Sequence, residues 1–170
     1  MPEFFISKFE GILWRQTALG IHPLDTQGSF LYGGRFNPPA LFQMLYSSFS
    51  IKGARAEFLK FARSRDTEPD ELLPREIHQF FVTLDNVIDL TDSRNRKAIN
   101  CSARVLIKKD WGLTQKIGLQ LNRECEAIIS YSAAAPKEKN LILYESGIRR
   151  AVVVASSVID IMPDWDKIAS

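Results

Sequence analysis

Between Gly33 and Glu57 the chain sets an arginine, a tyrosine and a glutamate at intervals that a turn, an apolar run and a helix can bring together. Arg35 carries a planar fork suited to a pair of phosphate oxygens. The ring of Tyr46 can stack on a flat heterocycle while its hydroxyl orients a neighbour. Glu57 can accept hydrogen bonds from ribose hydroxyls and stabilise an oxocarbenium-like transition state, as carboxylates do in glycoside chemistry. A small serine at a strand end can approach a ligand closely and donate one hydrogen bond. Arg, Tyr, Glu and Ser together suit a substrate that carries phosphates and a ribose. Taken singly each has an ordinary reading: a turn arginine, a core tyrosine, a solvated border glutamate, a strand-end serine.

Other chemistries find no signature. There is no G-x-G-x-x-G after a strand, no P-loop, no H-E-x-x-H, no G-x-S-x-G and no pair of CxxC motifs. The two histidines, His22 in a loop and His78 in a strand, have no partners at ligand or triad spacing, and both read as surface residues. No metal site is expected. Cys101 and Cys125 lack zinc-type spacing and read as free thiols of a reducing compartment.

The elements that must position these residues follow from the pattern. Gly33-Gly34 permits a positive φ or a close backbone approach, and Pro38-Pro39 stops any helix. Ala40 to Tyr46 is an apolar run short enough for a buried strand. Ser50 offers an N-cap for a helix with Ile51, Ala54, Phe58, Phe61 and Ala62 on one face. At 100° per residue Glu57 falls at the margin of that face, about 40° from Phe61. Upstream, Ile12 to Arg15 reads as a first strand in which Trp14 and Arg15 point opposite ways. The loop from Leu19 to Ser29 leads into the Gly-Gly-Arg turn as a lid or rim.

Downstream, Ile77–Leu84 and Val87–Leu90 are rich in β formers, with Asp85-Asn86 as a hairpin turn or a bend in one strand. Thr114 is a candidate N-cap for a helix from Gln115 to Arg123, striped by Ile117, Leu121 and Leu113. Strands follow at Ala127–Ser132 and Asn140–Tyr144. Two late runs, Val152–Ala155 and Val158–Ile161, have Ser156-Ser157 between or within them. Strands that rarely alternate with helices predict an α+β domain with mainly antiparallel sheets and flanking helices, not a doubly wound nucleotide fold.

With 170 residues, 45% hydrophobic and 25% charged, residues 1–170 read as one globular domain. A net charge of +2 gives no argument for nucleic acid. The first ten residues have no apolar core of a signal peptide, and no run is long enough to span a membrane, so a cytoplasmic protein is expected.

The order Trp14-Arg15, Gly33-Gly34-Arg35-Phe36-Asn37-Pro38-Pro39, Leu45-Tyr46, Ala56-Glu57 resembles the RES-domain family, named for an arginine, a glutamate and a serine. Glu126–Ala133 and Asn140–Leu143 match the family's later serine segment and Asn-Leu run. Tyr131 stands where proline is usual, which leaves Ser132 and Ser130 both as the family serine, the following alanine favouring Ser132. Phe36 stands where tryptophan is common. The resemblance implies an ADP-ribosyltransferase-like fold and an NAD⁺-degrading toxin neutralised by an Xre-type helix-turn-helix antitoxin. It leaves room for a homodimer within that complex and for nucleic-acid contact through the antitoxin alone. NAD⁺ would be substrate, with no cofactor. Arg15 and Arg35 would hold its phosphates, Tyr46 line the nicotinamide–ribose pocket, Glu57 act on the ribose and Ser132 help fix the nicotinamide end. Water, phosphate or a protein side chain as acceptor would give a glycohydrolase, a phosphorylase or a protein ADP-ribosyltransferase. The alternative of another class is a non-catalytic nucleotide-binding or interaction module.

Overall fold

A computed structural model of the chain describes residues 3–168, the side chain of Asp166 apart. Two long strands form its framework, β1 (Ile6–Ala18) and β3 (Arg75–Asp89), with β2 (Leu45–Ser48) between them in sequence. β1 and β3 pair antiparallel from Ile6↔Ile88 to Ala18↔Arg75, with a bulge between Ser7 and Phe9. Asp85-Asn86 therefore lies within one continuous strand and turns no hairpin. The remaining strands are β4 (Ala127–Tyr131), β5 (Lys139–Leu143) and β6 (Ala151–Ile159), and Ser156-Ser157 lies inside the last.

Pairing runs β1–β2–β5–β4–β3 and returns to β1, so one sheet closes as a barrel, and β6 lies along β3. Most pairs are antiparallel, as expected. The expectation of mainly antiparallel sheets is corrected in two respects: the sheet closes on itself, and β3 and β4 run parallel through Val87–Asp89 and Ala127–Ile129. Parallel neighbours need a long crossover. The chain supplies it with α3 (Ser93–Ala98), a 3₁₀ turn (Ala103–Ile107) and α4 (Gly112–Leu121). The other helices are α1 (Gln27–Tyr32), α2 (Ile51–Ser64), α5 (Glu145–Ile148) and α6 (Asp164–Ile168). No helix among the described residues is long and apolar enough to cross a membrane.

Strand alternation divides the core. Leu13, Leu45, Phe80, Val82, Ile129 and Leu141 fill the barrel interior. Ile88, Ile128, Ile142 and Tyr144 face outward under Ile117 and Leu121 of α4. Ala54 and Phe58 of α2 pack with Ile77, Ile159 and Trp165, whose ring stacks on Phe58 at 5.6 Å. Each large side chain so buried contributes about 1.5–3 kcal/mol of transfer free energy. Both cysteines are free and buried, and burial pushes the Cys125 thiol up to about 12.

Three local expectations are revised. Residues 40–44 are turn and coil rather than strand, with Ala40 at φ 60°, and β2 begins only at Leu45. α4 starts at Gly112 with Trp111 at its N-cap, so Thr114 lies buried inside the first turn and Leu113 stays exposed, while the Asp110 carboxylate accepts from the Gly112 amide (2.9 Å). His78 is buried, not on the surface: it faces the Thr17 hydroxyl at 2.8 Å and Ser156 at 2.7 Å, on the strands that flank β3.

Candidate active site

Gly33 takes φ 71°, a left-handed conformation that glycine adopts without a Cβ penalty. Gly34 is needed for a different reason: a Cβ there would lie 2.5 Å from the Tyr46 hydroxyl. That hydroxyl accepts from the Phe36 amide (2.9 Å) and donates to Asn37 Oδ1 (2.8 Å), tying the turn to β2. Asn37 in turn donates to the carbonyls of Ser29 (2.8 Å) and Phe42 (3.1 Å). From α4, Gln115 Nε2 donates to the Gly34 carbonyl (3.0 Å), and Gly118 leaves room for the Phe36 carbonyl, which any Cβ would strike. Burial pushes the Tyr46 phenol far above its ordinary value, so it serves as a neutral strut and not as an acid or base.

Facing this turn is α2. The Ser50 hydroxyl accepts from the Gly53 amide (3.0 Å), the expected cap, and donates to Glu138 (2.8 Å). Two turns on, Glu57 Oε1 accepts from the Ser132 hydroxyl and from Asn140 Nδ2, each at 2.8 Å. Among the described residues neither bond engages Oε2. The Ser132 oxygen also accepts from the amides of Ala134 (3.2 Å) and Ala135 (3.1 Å), which fixes its hydroxyl toward the carboxylate.

Between the two walls lies a cleft of about 380 Å³. Its floor is one row of the sheet: Trp14 pairs with Ser48, Ser48 with Asn140, and Asn140 with Ser130, and directly opposed residues share a face. Arg15, Arg35, Tyr46 and Glu57 all border the cleft. Arg15 donates to the carbonyls of Pro23 and Asp25, so the loop from Leu19 to Ser29 is bound to the rim. Burial draws its guanidinium down to about 10 against the pull of Asp25, and it stays cationic at neutral pH. Arg35 donates to the Lys108 carbonyl (2.6 Å) and lies 5.8 Å from the centre of the Trp111 ring. Burial lowers its pKa too, while Glu57 and then Tyr46 act to raise it.

Ser132 is fully buried behind Glu57, whereas Ser130, the other candidate serine, borders the cleft. Sequence reasoning gave no role to Asn140, Lys60, Trp111 or Gln115. Lys60 could have been found, since it follows Glu57 by three positions on the same helix. The role of Asn140 depends on strand register, and those of Trp111 and Gln115 on where the crossover lands.

A closed mixed sheet with one oriented carboxylate in a cleft bordered by Arg15, Arg35 and Lys60 defines the class: a barrel domain with a charged cleft. The chain belongs to the RES-domain family, whose sequence model matches residues 12–166. It is 29% identical over 107 residues to the NAD(+) phosphorylase MbcT of Mycobacterium tuberculosis, a stretch covering 62% of this chain and 58% of that protein. A probable NAD(+) phosphorylase of the same organism is 27% identical over 136 residues, 79% of this chain and 65% of its own length. The matches thus span less than two thirds of these relatives. A chain in the crystal structure of the M. tuberculosis MbcT–MbcA toxin–antitoxin complex shares the fold, with a TM-score of 0.81 at 21% identity over 96% of this chain and 91% of that one.

Proposed function

We propose that this cleft binds NAD⁺ as a substrate and cleaves its nicotinamide–ribose bond with phosphate as acceptor, in a toxin of the cytoplasm with an ADP-ribosyltransferase-like fold. The observation that carries this reading is the Glu57 carboxylate, held through Oε1 by Ser132 and Asn140 with Oε2 left for the ribose. Nicotinamide leaves from a cationic pyridinium, so the protein needs little proton transfer and mainly orientation and charge stabilisation. The described residues that border the cleft include no histidine, in keeping with that demand. Arg15 and Arg35 hold the pyrophosphate, the Tyr46 ring lines the nicotinamide–ribose end, and Glu57 stabilises the ribosyl cation. Ser132 acts through Glu57 as a positioning residue rather than on the nicotinamide directly. The names of the two relatives support phosphate over water or a protein side chain.

A partner fits the rim. α1 has no buried residue, and Phe30, Leu31 and Tyr32 stand 40%, 51% and 81% exposed; Trp111, which borders the cleft, is half-exposed. Such an unpartnered apolar border suits a protein that covers the cleft, and we assign it to an Xre-type antitoxin. The test is incubation of the purified protein with NAD⁺, with and without phosphate. Phosphate-dependent release of nicotinamide is expected, abolished in Arg35→Ala and Glu57→Ala chains that still fold. Intact NAD⁺ in every arm overturns the reading, and labelled protein in place of a free product makes it an ADP-ribosyltransferase.

A further inference from the structure

Three cations border the cleft, and they are not equally engaged. Arg15 is fastened to the carbonyls of Pro23 and Asp25, and Arg35 to that of Lys108. Lys60 makes no hydrogen bond or ion pair among the described residues, although it is half-buried and lies one turn beyond Glu57 on α2. We infer that Lys60 seats the phosphate acceptor beside Glu57 and thereby selects phosphate over water, an assignment that rests on the proposed NAD⁺ cleavage.

The physical need comes from Glu57 itself. A carboxylate that stabilises a ribosyl cation also repels a dianionic nucleophile approaching the same carbon. Water, being neutral, meets no such barrier and requires no cation. A phosphate acceptor requires one, placed near enough to offset the carboxylate and not already held by another group. Lys60 meets both conditions: Glu57 and Arg35 are the charges that act on it, while burial, the largest influence, lowers its pKa. An ammonium on a flexible stem is a point charge with three donors, suited to a tetrahedral anion that must arrive and leave as product. In the step it serves, the bond from the anomeric carbon to the nicotinamide nitrogen breaks and its electron pair passes to the ring. A lone pair of monohydrogen phosphate forms the new carbon–oxygen bond, giving nicotinamide and ADP-ribose 1-phosphate.

The test compares the full chain with Lys60→Met, which keeps the apolar stem, and Lys60→Arg, which keeps the charge. Initial rates are measured over a matrix of NAD⁺ and phosphate concentrations, with ADP-ribose and its 1-phosphate separated as products. Lys60→Met should raise the KM for phosphate by about 10- to 100-fold, the loss of one charge-assisted contact. It should shift the product toward free ADP-ribose and leave the KM for NAD⁺ within about two-fold, and Lys60→Arg should restore most of the phosphate dependence. A raised KM for NAD⁺ with an unchanged KM for phosphate places Lys60 on the dinucleotide and overturns the inference, as does a variant with both constants unchanged. A parent protein that leaves NAD⁺ intact overturns the proposed function as well.

Discussion

The two walls of the cleft are built by different means. The Gly-Gly-Arg turn buries Phe36 in the core, and the rest of it is held by hydrogen bonds to its backbone and to Asn37, from Tyr46 and Gln115 and toward Ser29 and Phe42. α2 is held by Ala54, Phe58 and Ala62 against the core, and it carries one carboxylate, Glu57, clamped from β5 and the segment after β4. Polar struts with buried partners have no slack, because each group left unpaired costs its full desolvation. An apolar helix face carries its functional side chain almost independently of its anchoring. The turn should therefore lose stability when altered, and α2 should lose function.

The sharpest test is Glu57→Gln, which keeps an acceptor for Ser132 and Asn140 but removes the charge. Nicotinamide release should fall on the order of 10²–10³-fold with the thermal midpoint nearly unchanged. Unfolding of this variant would break the contrast between the walls. Gly34→Ala, which sets a methyl against the Tyr46 hydroxyl, should cost about 1–3 kcal/mol in urea titration. Tyr46→Phe leaves the Phe36 amide and Asn37 Oδ1 without their partner and should cost a similar ~1–3 kcal/mol, retaining the ring in the cleft. Ser50→Ala removes the cap of α2 for only about 1 kcal/mol, and a larger loss would mean that its bond to Glu138 also matters.

The smallest effect lies outside both walls. Burial holds His78 below its ordinary value of 6.5, so the unfolded chain takes up a proton that the folded chain resists. Stability should consequently fall as pH drops below about 6.5, and His78→Gln should flatten that part of a urea-midpoint profile.

What was legible in the sequence was local. Ser50 as a cap, the apolar face of α2, the marginal position of Glu57 and the special backbone of Gly33 all depend on residues within a few positions of one another. His78 was misread because its burial is decided by Thr17 and Ser156, residues on other strands. The sequence names Ser132 as a candidate but does not show its hydrogen bond to Glu57, since that contact joins β4's end to a helix far earlier in the chain. Closure of the sheet and the parallel β3–β4 pair were hidden for the same reason: pairing partners are set by crossovers, not by strand patterns.

The floor row joining Trp14, Ser48, Asn140 and Ser130 has a consequence for the order in which the protein is made. A chain still being synthesised has its arginines, Tyr46 and Glu57 early, but the floor beneath them waits for Asn140. At ordinary elongation rates that interval is on the order of ten seconds. An unfinished chain therefore carries the parts of the cleft without the cleft, and competence arrives in a single late step.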